Sequence, residues 1–150
     1  MCQKPFSVGA RIEHKQKFIN RSQYGDNAKL PPLPVADYKL AVRTNNGRSL
    51  YTFCMCPGGE VVAATSEEYS VVTNGMSNYA RDAVNANSAL IAQVGRADFD
   101  SDSPLAGVEF QRKIERAAYT AGGGNYVAPV QLVGDFLQDK ESSRFGEVQP

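Results

Sequence analysis

Apolar and polar residues alternate loosely over Ser7-Val8-Gly9-Ala10-Arg11-Ile12-Glu13, which predicts a first strand. Lys15 to Gln23 then sets Phe18, Ile19 and Ser22 at helical spacing, so a short helix is expected before Tyr24-Gly25-Asp26-Asn27. Three prolines in Leu30-Pro31-Pro32-Leu33-Pro34 remove donors and fix φ, leaving an extended connection. From Asp37 to Thr73 the chain reads as an antiparallel meander. Tyr38–Arg43 leads into an Asn46-Gly47 hairpin turn, Ser49–Cys56 returns, Pro57-Gly58-Gly59 turns into Glu60–Thr65, and Ser70–Thr73 is closed by Asn74-Gly75. A polar loop over 76–87 follows, then a strand over Ser88–Val94.

The clearest helix comes next. Asp100, Ser101, Asp102 and Ser103 offer caps, Pro104 suits the first helical position, and Phe110, Ile114, Ala117, Ala118 and Ala121 form one apolar face up to Gly122-Gly123-Gly124. Glu109 and Lys113 stand at i,i+4 as a favourable pair. Val127 to Leu137 is mixed and Gln138 to Pro150 is polar. The expected class is α+β: an antiparallel sheet or partly closed barrel with one amphipathic helix at about 104–121 and a short one at about 15–23.

Composition narrows the function classes. With 150 residues, 42% hydrophobic and 21% charged, the chain is a single globular domain, and no apolar run approaches the ~20 residues that span a bilayer. The expectation is no membrane, no secretory signal and a cytoplasmic location. Net charge is zero but unevenly spread: residues 1–50 carry nine basic and three acidic side chains, and the later thirds are acidic. That basic third suits either a solvated surface or an anion site. No zinc-finger spacing or aromatic RNA-binding signature occurs, so no nucleic acid is expected.

Chemical motifs are sparse. There is no Gly-x-Gly-x-x-Gly, no Gly-Lys-Ser/Thr and no Gly-x-Ser-x-Gly, so the chain is not expected to bind a nucleotide unaided. His14 is the sole histidine and the cysteines are Cys2, Cys54 and Cys56, too few for a disulfide scaffold or a zinc site, so no metal is expected. On a regular strand Cys54 and Cys56 share one face and Tyr51, Phe53 and Met55 the other. The wider side chains make the better core face, which would leave the thiols looking outward, although the pattern alone permits either. Gly122-Gly123-Gly124-Asn125 can bring backbone close to a phosphate or ring, or simply stop a helix. The loop holding Asn74, Gly75, Met76, Ser77, Arg81 and Asp82 is either functional or a solvated connection.

At Lys4-Pro5-Phe6-Ser7-Val8-Gly9, Arg11-Ile12-Glu13-His14 and Tyr51-Thr52-Phe53-Cys54-Met55-Cys56-Pro57-Gly58-Gly59, the chain resembles a family of large bacterial FAD-dependent dehydrogenases. The likeness continues through Ser66-Glu67-Glu68, Asn74-Gly75-Met76-Ser77, Asn85-Ala86-Asn87-Ser88-Ala89, Pro104-Leu105-Ala106-Gly107 and Gly122-Gly123-Gly124-Asn125-Tyr126. It departs at Tyr69, where the family has glycine, and at Ala83-Val84, where it has Gly-Glu. The resemblance implies a substrate-side or cap domain, residues 1–150, inserted in a larger oxidoreductase whose Rossmann-type FAD domain is split in sequence. FAD would be bound in the parent protein and not by this segment alone, which would be inactive by itself. Its partners would be the FAD-binding domain of the same polypeptide and a small-molecule substrate.

Tyr51 to Gly59 is also similar to the strand and aromatic-x-Pro-x-Gly turn that line the cavity of flavoprotein reductases and hydroxylases. By that analogy Tyr51, Phe53, Cys54, Met55, Cys56, Gly58 and Gly59 face the pocket or flavin, with Asn74, Met76 and Arg81 beside them. No catalytic residue transfers. The alternatives are a non-catalytic protein-interaction module and a standalone anion-binding domain that uses the basic first third.

Overall fold

The computed structural model describes residues 2–29 and 32–145. Its class is α+β, with two antiparallel sheets and no closed barrel. Strand β1 (Phe6–Lys15) runs directly into α1 (Gln16–Tyr24) and a 3₁₀ turn over Gly25–Lys29. Strands β2 (Ala41–Arg43), β3 (Ser49–Cys56), β4 (Gly59–Ala64), β5 (Val72–Ser77) and β6 (Asn85–Val94) follow. After a 3₁₀ turn at Arg96–Asp98 come α2 (Ala106–Ala121) and the single turn α3 (Val133–Phe136).

The predicted meander divides in two. The main sheet has the order β1-β6-β3-β2, while β4 and β5 form a separate hairpin. β6 therefore inserts between β1 and β3, pairing Phe6 with Val94 through Lys15 with Asn85 on one side and Leu50 with Ala92 through Cys56 with Asn87 on the other. Asn74-Gly75 is not a turn: both residues lie inside β5, paired with Val62 and Val61. The polar loop is correspondingly shorter than 76–87, because β5 runs on to Ser77 and β6 begins at Asn85. Residues 30 and 31 of the proline-rich connection and 146–150 of the polar tail lie outside the described residues.

Directly paired residues share a face, so the register sorts the sheet. One face carries Val8, Ala10, Ile12, Leu50, Leu90 and Ala92; the other carries Gly9, Arg11, Glu13, Tyr51, Phe53, Ile91 and Asn87. β6 is apolar on both faces near its middle, at Leu90 and Ile91, the pattern of a strand covered on both sides. Yet Val8, Ala10, Ile12, Leu50, Leu90, Ile91 and Ala92 are all half-buried or exposed. Among the described residues the buried hydrophobic ones are small: Ala36, Val71, Ala86, Val94 and Ala106. Total accessible surface is 10945 Å², against about 7500 Å² for a compact monomer of this mass.

Helix α2 is tied to the sheet through aromatic rings. Phe6 stacks on Phe99 at 5.7 Å, and Phe110 meets Phe6 edge-on at 6.3 Å and Phe99 at 5.7 Å. Beyond Phe110 the predicted apolar face does not become core: Ile114, Ala117 and Ala121 are exposed. The i,i+4 pairing also gives way, as Glu109 binds Arg112 at 3.1 Å while Lys113 reaches Asp100 at 3.0 Å.

Candidate functional site

The chemistry-bearing residues gather where β3 ends. Between Phe53 paired with Ala89 and Cys56 paired with Asn87, β3 advances three residues and β6 two, a bulge with one extra residue. Cys54 takes φ +46°, a left-handed conformation unusual outside glycine. The bulge overturns the simple alternation of Cys54 and Cys56: Cys56 joins Phe53 on the Arg11 and Asn87 face. Cys54 is exposed and Cys56 half-buried.

Arg11 is the centre of this end. Its Nη1 donates to Asn87 Oδ1 at 2.5 Å and to the Cys54 carbonyl at 3.3 Å, and lies 3.9 Å from Cys56 Sγ. Gly75 of β5 lies directly over the pair, where a Cβ would run into Arg11 Nη1 and Asn87 Oδ1. That approach is why β5 carries glycine at a position that reads locally as a turn. Asn87 is 0% exposed and its Nδ2 has no partner among the described residues; Arg11 Nε is also buried and unpartnered. One step along, buried Asn85 donates from Nδ2 to Glu13 at 2.7 Å.

Behind the strand, His14 and Tyr38 share a 2.7 Å hydrogen bond between Nε2 and the phenol oxygen. Burial pushes the His14 pKa below its usual 6.5 and the Tyr38 pKa above its usual 10.0. The turn after β3 is held by Gln16, whose Oε1 accepts from Gly58 N at 2.8 Å and whose Nε2 donates to the Ala36 carbonyl at 2.9 Å.

Of the residues singled out from the sequence, the structure brings Cys54 and Cys56 to Arg11, with Phe53 beside them and 56% exposed. Tyr51 lies further up the same face, its phenol 2.6 Å from Ser7 Oγ. Met55 is half-buried in the bulge. Gly58, at φ +48°, and Gly59 permit close backbone contact instead of lining a pocket: Cβ atoms there would meet the Arg81 and Met76 carbonyls. Asn74 and Met76 alternate with Gly75, so they point away from Arg11 and are exposed. Arg81 is likewise exposed, at φ +53°.

Arg11, Asn87 and Asn85 were missed as site residues, although polar residues two apart in Asn85-Ala86-Asn87 and Arg11-Ile12-Glu13 were a visible signal of one polar strand face. Among the described residues no group of three or more His, Cys, Asp or Glu is placed to hold a metal. Among the described residues no helix is long and apolar enough to cross a membrane.

The family described as FAD-dependent protein, C-terminal domain-like, matches residues 5–150. An uncharacterized protein of Clostridium beijerinckii is 56% identical over 151 residues, covering 100% of this chain but 28% of that protein's length. The chain thus spans little more than a quarter of that relative's length, and it belongs to the FAD-dependent protein, C-terminal domain-like family.

Proposed function

We propose that this domain is the substrate-side part of an FAD-dependent oxidoreductase, covering the flavin and shaping the substrate pocket in the parent protein. The observation that carries this reading is the main sheet, whose apolar residues are incompletely covered, in a chain matching 28% of its relative. Incompletely covered apolar side chains on a sheet are commonly where another domain packs. The rest of the polypeptide, with its FAD-binding domain, is its natural cover.

The residues suit one part of the cofactor. The exposed ring of Phe53 at the end of β3 fits stacking on a planar heterocycle. The sequence has no Gly-x-Gly-x-x-Gly turn for a diphosphate, so the ADP half falls to the partner domain. Bound FAD supplies hydride or electron transfer. This chain's share is to exclude water with the sheet face and orient a substrate with the polar groups at the end of β3.

Visible absorption of the full-length protein, purified beside this segment without added cofactor, tests the proposal. A flavin spectrum in the former and none in the latter supports it. No flavin in either, even after FAD is supplied, refutes it and favours the interaction module.

A further inference from the structure

We infer that Arg11 and Asn87 form a recognition site for an oxyanion, a carboxylate or phosphate group carried by a small molecule. The argument begins with charge. Arg11 is half-buried and has no carboxylate within ion-pairing distance among the described residues; its partners are a backbone carbonyl, an amide oxygen and a cysteine sulfur. The nearest acid along its own strand face, Glu13, accepts from Asn85 instead. A guanidinium withdrawn from water is ordinarily paired, because leaving it without a counter-charge is costly.

The surroundings are built to hold that charge in place. Cys54 adopts a strained positive φ and its carbonyl accepts from the guanidinium, β5 carries glycine where any Cβ would displace it, and fully buried Asn87 accepts from it. Each member of this hydrogen-bonded pair then has a donor left over: Arg11 Nε and Asn87 Nδ2 are both buried with nothing to accept from them among the described residues. A site rich in unsatisfied donors and positive charge, whose neighbouring acid Glu13 is engaged by Asn85, is complementary to an oxyanion, which offers only acceptors and supplies the missing charge. The oxyanion belongs either to the substrate or to the cofactor's phosphates. Only that choice of source rests on the flavin reading.

The experiment uses the full-length protein and follows its thermal midpoint in titrations of acetate, benzoate and sulfate at constant ionic strength, with bound flavin measured in each preparation. The wild type should show a saturable rise with at least one of these anions, and Arg11→Gln should weaken it by about tenfold to a hundredfold. Asn87→Asp places a carboxylate beside the guanidinium; it should keep or raise the midpoint without anion and abolish the anion response, so loss of response is separated from loss of fold.

If both variants keep their flavin and lose only the anion response, the oxyanion is the substrate's. If they lose flavin, it is the cofactor's. An anion response with no flavin in any preparation sustains the site and sinks the flavin reading. A wild type indifferent to all three anions, with variants that retain flavin normally, overturns the inference, as does a response that survives in both variants.

Discussion

Gln16 Oε1 and Gly58 N, 42 positions apart, are joined by a 2.8 Å hydrogen bond in a buried setting. The same side chain donates to the Ala36 carbonyl at 2.9 Å and to Asn20 Oδ1 at 2.8 Å, while Asn20 Oδ1 also accepts from Ala36 N. One amide, 6% exposed, thus pins the start of α1, the chain before β2 and the turn after β3. Gln16→Ala leaves buried backbone groups unpaired at Gly58 and Ala36, each costing about 1–3 kcal/mol. A destabilisation of about 2–4 kcal/mol is expected, read as a lower urea midpoint with unchanged m.

Two glycines are expected to resist substitution for different reasons. Gly58→Ala combines a φ of +48° with a Cβ driven into the Arg81 carbonyl, an atom fixed in the backbone. Gly75→Ala presses on side-chain atoms of Arg11 and Asn87, which can shift. Overpacking costs about 1–3 kcal/mol, and urea denaturation should place Gly58→Ala at or above the top of that range and Gly75→Ala inside it. Gly75→Ala should also blunt the anion response, since it displaces Arg11.

Arg81→Gly should stabilise the protein. Its φ of +53° costs a non-glycine residue about 1–2 kcal/mol, partly offset by glycine's extra chain entropy of about 0.5–1 kcal/mol. The net gain is up to about 1 kcal/mol, seen as a higher Tm. Tyr69, at φ +59°, sits where the resembling family has glycine, but its ring meets Tyr119 edge-on at 5.9 Å. Losing that contact costs about 0.5–1.5 kcal/mol, so Tyr69→Gly should change Tm little.

Acid should weaken the fold through His14. Burial lowers its folded pKa below 6.5, so the unfolded chain binds more protons as pH drops past 6.5. Stability therefore falls with decreasing pH from that point and levels off below the folded pKa. Urea midpoints between pH 7.5 and 5 should show this slope, and His14→Asn should flatten it.

Local patterning recovered most elements of the fold. β3 matches its predicted span of Ser49–Cys56, α1 begins one residue later than predicted, and α2 begins at Ala106 where the predicted helix begins at about 104. These depend on spacing within a few residues. Asn74-Gly75 misled because the demand for glycine comes from Arg11, 64 positions away, and not from a turn. Asn85-Ala86-Asn87 did not read as a strand start because its asparagines are paid for by Glu13 and Arg11, across the β1 pairing. The bulge at Cys54 was hidden for the same reason, and with it the face on which Cys56 falls. The resemblance, resting on whole motifs, reached the family that periodicity could not.

The strand order β1-β6-β3-β2 also sets a timetable for biosynthesis. The central strand is the last of the sheet to be made, so β1 has no partner until residues 85–94 leave the ribosome. At about 5–20 residues per second, the 69 residues between Lys15 and Asn85 keep β1 waiting for roughly 3–14 s. A nascent chain stalled before Asn85 holds β1 and β3 without the strand that joins them, and that interval is when a chaperone has most to protect.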